Sequence, residues 1–115
     1  MKKIAQICAV ALLTLLMAGL TASAQDGATF YVHKFCTTCH GQNGISIAPN
    51  YPNLARQNER YLANQVKDII AKKRANKLTL LMTEHPVVTG ISDEEITAIA
   101  AHLTNIKLGA SPKLE

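Results

Sequence analysis

Residues 36–40 read Cys-Thr-Thr-Cys-His. On a helical turn, positions 36, 39 and 40 are i, i+3 and i+4, so they share one face. Two thiols and an imidazole at that spacing suit one task. The sulfurs of Cys36 and Cys39 can add to the two vinyl groups on the edge of a haem, and His40 beside them can turn its ring onto the iron. Two other chemistries use a Cys-x-x-Cys pair. A redox dithiol sits near a βαβ pattern, and a zinc site takes further ligands, often a second pair of cysteines. No β-rich run precedes this stretch and no second pair occurs, since the third cysteine, Cys8, stands alone in an apolar run.

The surrounding chain must position these groups. Residues 27–40 are expected to form a short helix running into the motif, with Phe30, Tyr31 and Phe35 on apolar positions and Gly41 as its stop. His33 reads as a surface histidine. Residues 41–57 are turn-rich, with Ile45, Ile47, Tyr51 and Leu54 as apolar exceptions, some of them lining a pocket. A carbonyl of Pro49 or Pro52 can accept the outer N–H of His40 and fix its ring. Residues 58–74 carry Leu62, Val66, Ile69, Ile70 and Lys73 on one helical stripe. Lys67, Lys72, Lys73, Arg74 and Lys77 cluster at that helix's end. They read either as a solvated face complementing the helix dipole or as a docking patch for an acidic redox partner.

Residues 75–91 have no strong period and are expected to be a long apolar loop. The loop holds Met82, the one methionine beyond residue 24. A thioether opposite a histidine-ligated haem is a fitting sixth ligand. A gap-filling core methionine is the plain alternative, and His85 is the rival ligand. Residues 92–106 close the chain as an amphipathic helix. Ser92 and Glu95 make a capping box, and Ile96, Ile99, Ala100, Leu103 and Ile106 form the stripe. His102, at its edge, reads as a helix–helix contact.

Length and composition bound the rest. The 115 residues suffice for one small domain. Residues 1–24 read as a secretory signal: Lys2 and Lys3, an apolar run from Ile7 to Leu20, and Ala22-Ser23-Ala24 as the cleavage site. The run is short for a membrane anchor, which needs about 20 apolar residues. The exported domain is then 25–115, with a core at 27–106 and a polar tail at 107–115, and its location is periplasmic. The formal charge of +4 includes the two signal lysines and is too small to argue for nucleic acid. There is no tryptophan, and only three tyrosines and two phenylalanines are present. Ordering each residue costs roughly 1.5 kcal/mol, which so thin a core barely offsets. One large apolar macrocycle, covalently held, would supply the missing centre.

Besides the motif, Ala-Pro-Asn-Tyr-Pro-Asn-Leu-Ala at 48–55, Tyr61-Leu62 opening a helix, and Ile-Ser-Asp-Glu-Glu-Ile at 91–96 fall in order along the chain. Together these resemble a class I c-type cytochrome of the small bacterial periplasmic monohaem type. The resemblance covers about residues 27–106. It implies an all-α fold of three to four helices round one covalent haem c, with the first and last helices crossing. Cys36 and Cys39 would hold the macrocycle, His40 and Met82 would be its axial ligands, and the family's loop proline carbonyl would fall, by spacing, on Pro49. The implied role is one-electron transfer between periplasmic or membrane redox partners, without enzymatic activity and with membrane contact only through partners. Alternatives are an electron-accepting subunit of a larger dehydrogenase, a ligand-binding haem sensor or small haem enzyme, and a haem-free thiol–disulfide oxidoreductase. Three departures from the family pattern stand out: Arg56 and Ala28 where glycine is common, and no aromatic residue near His102, where one often packs against the first helix.

Overall fold

The computed structural model describes residues 23–109. The expected export signal lies almost wholly outside the described residues, as does most of the tail. Six helices follow in order: α1 Ser23–His33, α2 Cys36–His40, α3 Glu59–Ile70, α4 Lys77–Thr83, α5 Pro86–Thr89 and α6 Asp93–Thr104. Among the described residues there is no strand, and no helix is long and apolar enough to cross a membrane. The all-α expectation holds, with more and shorter helices than expected.

α1 and α6 pack most closely, and α3 lies against α6. Their apolar faces meet at Tyr31, Leu62, Ile99, Ala100 and Leu103. Close approach is set at Gly27, where a Cβ would run into the Ala98 carbonyl and come within 2.9 Å of the His102 Cβ. The close-packing glycine is therefore at 27, one residue before Ala28. His102 takes the place of the missing aromatic: its ring lies 5.9 Å from that of Tyr31, tilted by 49°.

α6 begins as the spacing predicts. Ser92 Oγ accepts from the Glu95 amide at 3.2 Å, and the Ser92 amide donates to Glu95 Oε2 at 3.0 Å. The other oxygen of Glu95 takes Lys34 Nζ at 3.0 Å, which ties the end of α1 to the start of α6. The amide bond and the lysine both hold the Glu95 carboxyl below its ordinary pKa. Lys67 and Asp93, 3.1 Å apart, tie α3 to the same corner.

The structure corrects three expected boundaries. The helix expected over 27–40 is two, because Phe35 adopts a left-handed backbone (φ 61°, ψ 19°) that ends α1 and opens α2. α3 stops at Ile70, since Lys72 is also left-handed (φ 56°) and the Lys73 and Arg74 amides fold back onto the Asp68 carbonyl. Lys73 thus leaves the apolar stripe and is exposed. The expected loop 75–91 folds mostly into α4 and α5. Asn76 accepts from the Leu78 and Thr79 amides at 2.9 Å while Thr79 Oγ1 takes the Asn76 amide at 2.8 Å, a capping box in polar residues other than the usual Ser–Glu pair. Pro86 then opens α5 at a position where its missing N–H costs nothing.

Replacing a helical glycine by alanine ordinarily stabilises by roughly 0.5–1 kcal/mol. At Gly27 the clash reverses the sign. Gly27→Ala is expected to destabilise the purified protein by about 1–3 kcal/mol, the range for overpacking, seen as a lower denaturation midpoint at unchanged slope. A midpoint equal to or above that of the parent would show that α1 and α6 are not this close.

Candidate functional site

All seven buried hydrophobic residues of the described chain also line one cavity of about 680 Å³. α6 contributes Ile96, Ile99, Ala100 and Leu103, α3 contributes Leu62 and Ile69, and α1 contributes Tyr31. The volume lies in the range of small-molecule and cofactor sites, about 300–1,000 Å³.

The turn α2 brings Cys36, Cys39 and His40 to this cavity. α2 is pinned at both ends. At its start, the Phe35 carbonyl accepts from the Thr38 amide at 3.2 Å. At its end, Gly41 leaves the helix at φ 76°, where a Cβ would strike the Ile45 carbonyl. The buried Tyr31 hydroxyl donates to the Gly41 carbonyl at 2.7 Å, so α1 holds the residue after the histidine.

His40 is buried, and its Nδ1 lies 2.9 Å from the Pro52 carbonyl. A carbonyl only accepts, so Nδ1 carries the proton and Nε2 keeps its lone pair. Burial also lowers the pKa of His40, which favours the neutral ring. The orienting carbonyl is thus that of Pro52, which corrects the choice of Pro49. Pro49 lines the cavity without that bond. The reach is decided by the loop: Ser46 Oγ donates to the Ala48 carbonyl at 2.6 Å and Asn53 Oδ1 takes the Ser46 amide at 2.7 Å, which folds 46–53 back on itself. Three residues more of sequence separation then bring Pro52 nearer the ring. Ser46 and Asn53 carry no motif beyond their liking for turns.

Cys36 and Cys39 are half-buried free thiols. Burial pushes the Cys36 thiol up to about 11. A catalytic dithiol needs the opposite, a lowered pKa that supplies thiolate. Among the described residues no three His, Cys, Asp or Glu side chains converge as a metal site would require, which leaves the zinc alternative without its ligand set.

α4 contributes Leu78, Leu81 and Met82 to the cavity, and His85 follows on the same face. These are i, i+3, i+4 and i+7, a helical period that the adjacent Leu80 obscures in the sequence. Met82 is half-buried, whereas His85 is exposed and its ring packs tilted against that of Phe35, with centroids 5.2 Å apart. His33 is exposed and away from the cavity. Of the loop residues, Tyr51 and Leu54 line the cavity, while Ile45 and Ile47 face solvent. Of the basic cluster, Lys67 is engaged by Asp93, and Arg74, on the cavity wall, donates to Gln65 Oε1 at 2.7 Å.

A large apolar cavity, a pair of thiols three residues apart, a neutral imidazole held through Nδ1 and a thioether make a donor set that fits a covalently held haem. Tyr31→Phe removes one bond to the residue after His40, but the Gly41 carbonyl still accepts the Gly44 amide at 3.3 Å. The expected loss is therefore about 1 kcal/mol, the net worth of one hydrogen bond and not that of an orphaned group. Equilibrium unfolding checks this, and a loss three times larger would mean that the hydroxyl holds more than this turn.

The family profile described as cytochrome c matches residues 24–107. The chain is 40% identical over 107 residues to cytochrome c4 of Pseudomonas aeruginosa, covering 90% of this chain and 51% of that protein. It is 40% identical over 70 residues to cytochrome c-554(548) of Halomonas halodenitrificans, covering 61% of this chain and 82% of that protein. Similarity extends to a thiosulfate dehydrogenase electron acceptor of Stutzerimonas stutzeri, 30% identical over 96 residues. The chain spans about half the length of the cytochrome c4 relatives. With the match covering the whole helical core and the Cys-x-x-Cys-His turn opening onto its cavity, the chain belongs to the cytochrome c family, whose cofactor is covalent haem c.

Proposed function

We propose that this chain is a one-electron carrier and not an enzyme, in which Cys36 and Cys39 would hold the haem through thioethers and His40 and Met82 would ligate its iron. When bound, the group supplies a one-electron couple between ferrous and ferric iron. The reading rests chiefly on His40. Its ring is buried, proton-fixed by Pro52 and open at one nitrogen on the wall that carries both thiols.

The residues divide the work. His40 offers a neutral nitrogen in one fixed orientation. Met82 offers a soft, uncharged sulfur, which favours the reduced state relative to a second histidine. The aliphatic wall of α3 and α6 excludes water, so gaining positive charge at the centre is disfavoured. With His40 and Met82 both holding the iron, no coordination position would be left for a substrate, so transfer and not catalysis suits the site. Lys72, Lys73 and Lys77 are exposed beside the cavity's α3–α4 edge and suit an acidic redox partner. Export to the periplasm, by the signal at residues 1–24, suits attachment after translocation.

Protein made with haem-attachment machinery is expected to be coloured, with a mass raised by one covalent haem. Met82→Ala is expected to lower the reduction potential and to let the reduced protein bind carbon monoxide. A colourless product sinks the reading, and unchanged spectra and potential in the variant remove Met82 from the role.

The relative named as an electron acceptor of thiosulfate dehydrogenase favours a second reading, that of a dehydrogenase's dedicated acceptor. A freely diffusing carrier is expected to elute from native extract at the size of a small protein. Co-elution with a much larger species would favour the dedicated acceptor.

A further inference from the structure

Phe35 occupies a position that asks for glycine. It is the left-handed residue between α1 and α2, and its side chain is 54% exposed although it sits next to Cys36. Asparagine or glycine commonly ends a helix in this way, and a bulky aromatic there is an outlier. Among the described residues its aromatic neighbour is His85, at 5.2 Å and tilted by 42°. Both rings line the cavity.

His85 is itself well placed to transmit a contact. It caps α5, its carbonyl accepting from the Val88 and Thr89 amides, and it stands one helical turn after Met82 on the same face. α4 packs on α3 and α5, not extensively on α1 or α2. The Phe35–His85 contact therefore joins the turn that bears the cysteines and His40 to the junction just after the helix that bears Met82.

We infer that Phe35 and His85 form an aromatic clasp that positions the Met82 helix against the α2 turn and thereby controls how readily the thioether is displaced. This rests on the assignment of His40 and Met82 as axial ligands. Both residues are positioning residues, and His85 acts through its ring's stacking and not as a ligand.

The test uses the ferric, haem-loaded protein with added imidazole as probe, following loss of the thioether–iron absorption band. His85→Ala and Phe35→Ala are each expected to speed displacement by about two- to tenfold, the factor to which the coupling of an aromatic pair converts. The double variant should be no faster than the faster single variant, because one contact is lost in all three. His85→Phe keeps a ring at 85 and should stay within about twofold of the parent, well inside that range. If Phe35→Ala does not accumulate, the His85→Ala and His85→Phe pair decides alone. Displacement in His85→Ala at the parent rate overturns the clasp, as does His85→Phe behaving like His85→Ala, or single effects that multiply in the double variant. Absence of the thioether band from the parent protein overturns the Met82 assignment instead, so the two failures are told apart.

Discussion

Every apolar side chain that the described chain buries faces the same cavity, so the hydrophobic core and the cofactor site are one object. Tyr31 of α1, Leu62 of α3 and Ile99, Ala100 and Leu103 of α6 pack together along one side and line the cavity along the other, and Ile69 and Ile96 extend that wall. A side chain with a cavity at its flank forfeits dispersion contacts on that flank, and the loss grows with the empty volume. Along a cleft of about 680 Å³ that flank of the core has no protein atoms to pack against. A large apolar body seated there would restore those contacts, and attachment through two sulfurs would keep it in place through every fluctuation of the chain.

The same constraint explains the irregular stretch between α2 and α3. A loop wrapped over a cavity has no partner strand or helix, so its backbone groups must be satisfied within the loop or by the elements nearby. The Gly44 carbonyl takes the Leu54 and Ala55 amides at 2.8 and 3.0 Å, and the Arg56 amide reaches the Leu103 carbonyl at 2.8 Å. Gly44 lies so close to Ala55 and Leu103 that a Cβ would come within 2.9 Å of each. The loop is in this way sewn to the end of α6, and Pro52 arrives at His40 as a consequence of that path.

What was legible in the sequence was what a few residues specify locally. The thiol and imidazole spacing, the Ser92–Glu95 capping box and the stripes of α3 and α6 each depend on neighbours within about one or two helical turns. α4 was equally local but written in an unusual pair, Asn76 and Thr79, and its Leu78–Leu81–Met82–His85 period was masked by Leu80. The choice between Pro49 and Pro52 was of another kind. It depends on how Ser46 and Asn53 fold the loop, and on how far that carries each carbonyl, which spacing from His40 does not contain. The break at Phe35 was illegible for a third reason, since nothing in the residue's own preferences favours a left-handed backbone.

Three such residues, Phe35, Arg56 and Lys72, hold positive φ angles of 61°, 62° and 56°. Each stands where one element must end so that another can meet the cavity: α1 before the cysteine turn, the wrapped loop before α3, and α3 before α4. Each costs roughly 1–2 kcal/mol against an ordinary conformation, a large share of the ~5–15 kcal/mol by which domains are stable. Glycine would remove the strain but would add entropy to the unfolded chain, roughly 0.4–1 kcal/mol per site, so part of the advantage would be lost. At Arg56 the backbone amide completes the bond to Leu103, and the side chain is exposed and free of the turn. At Phe35 the side chain is engaged, stacked on the residue that opens α5. The same backbone strain is therefore borne for different ends, at Arg56 for the path of the chain and at Phe35 for the contact its ring makes across the cavity.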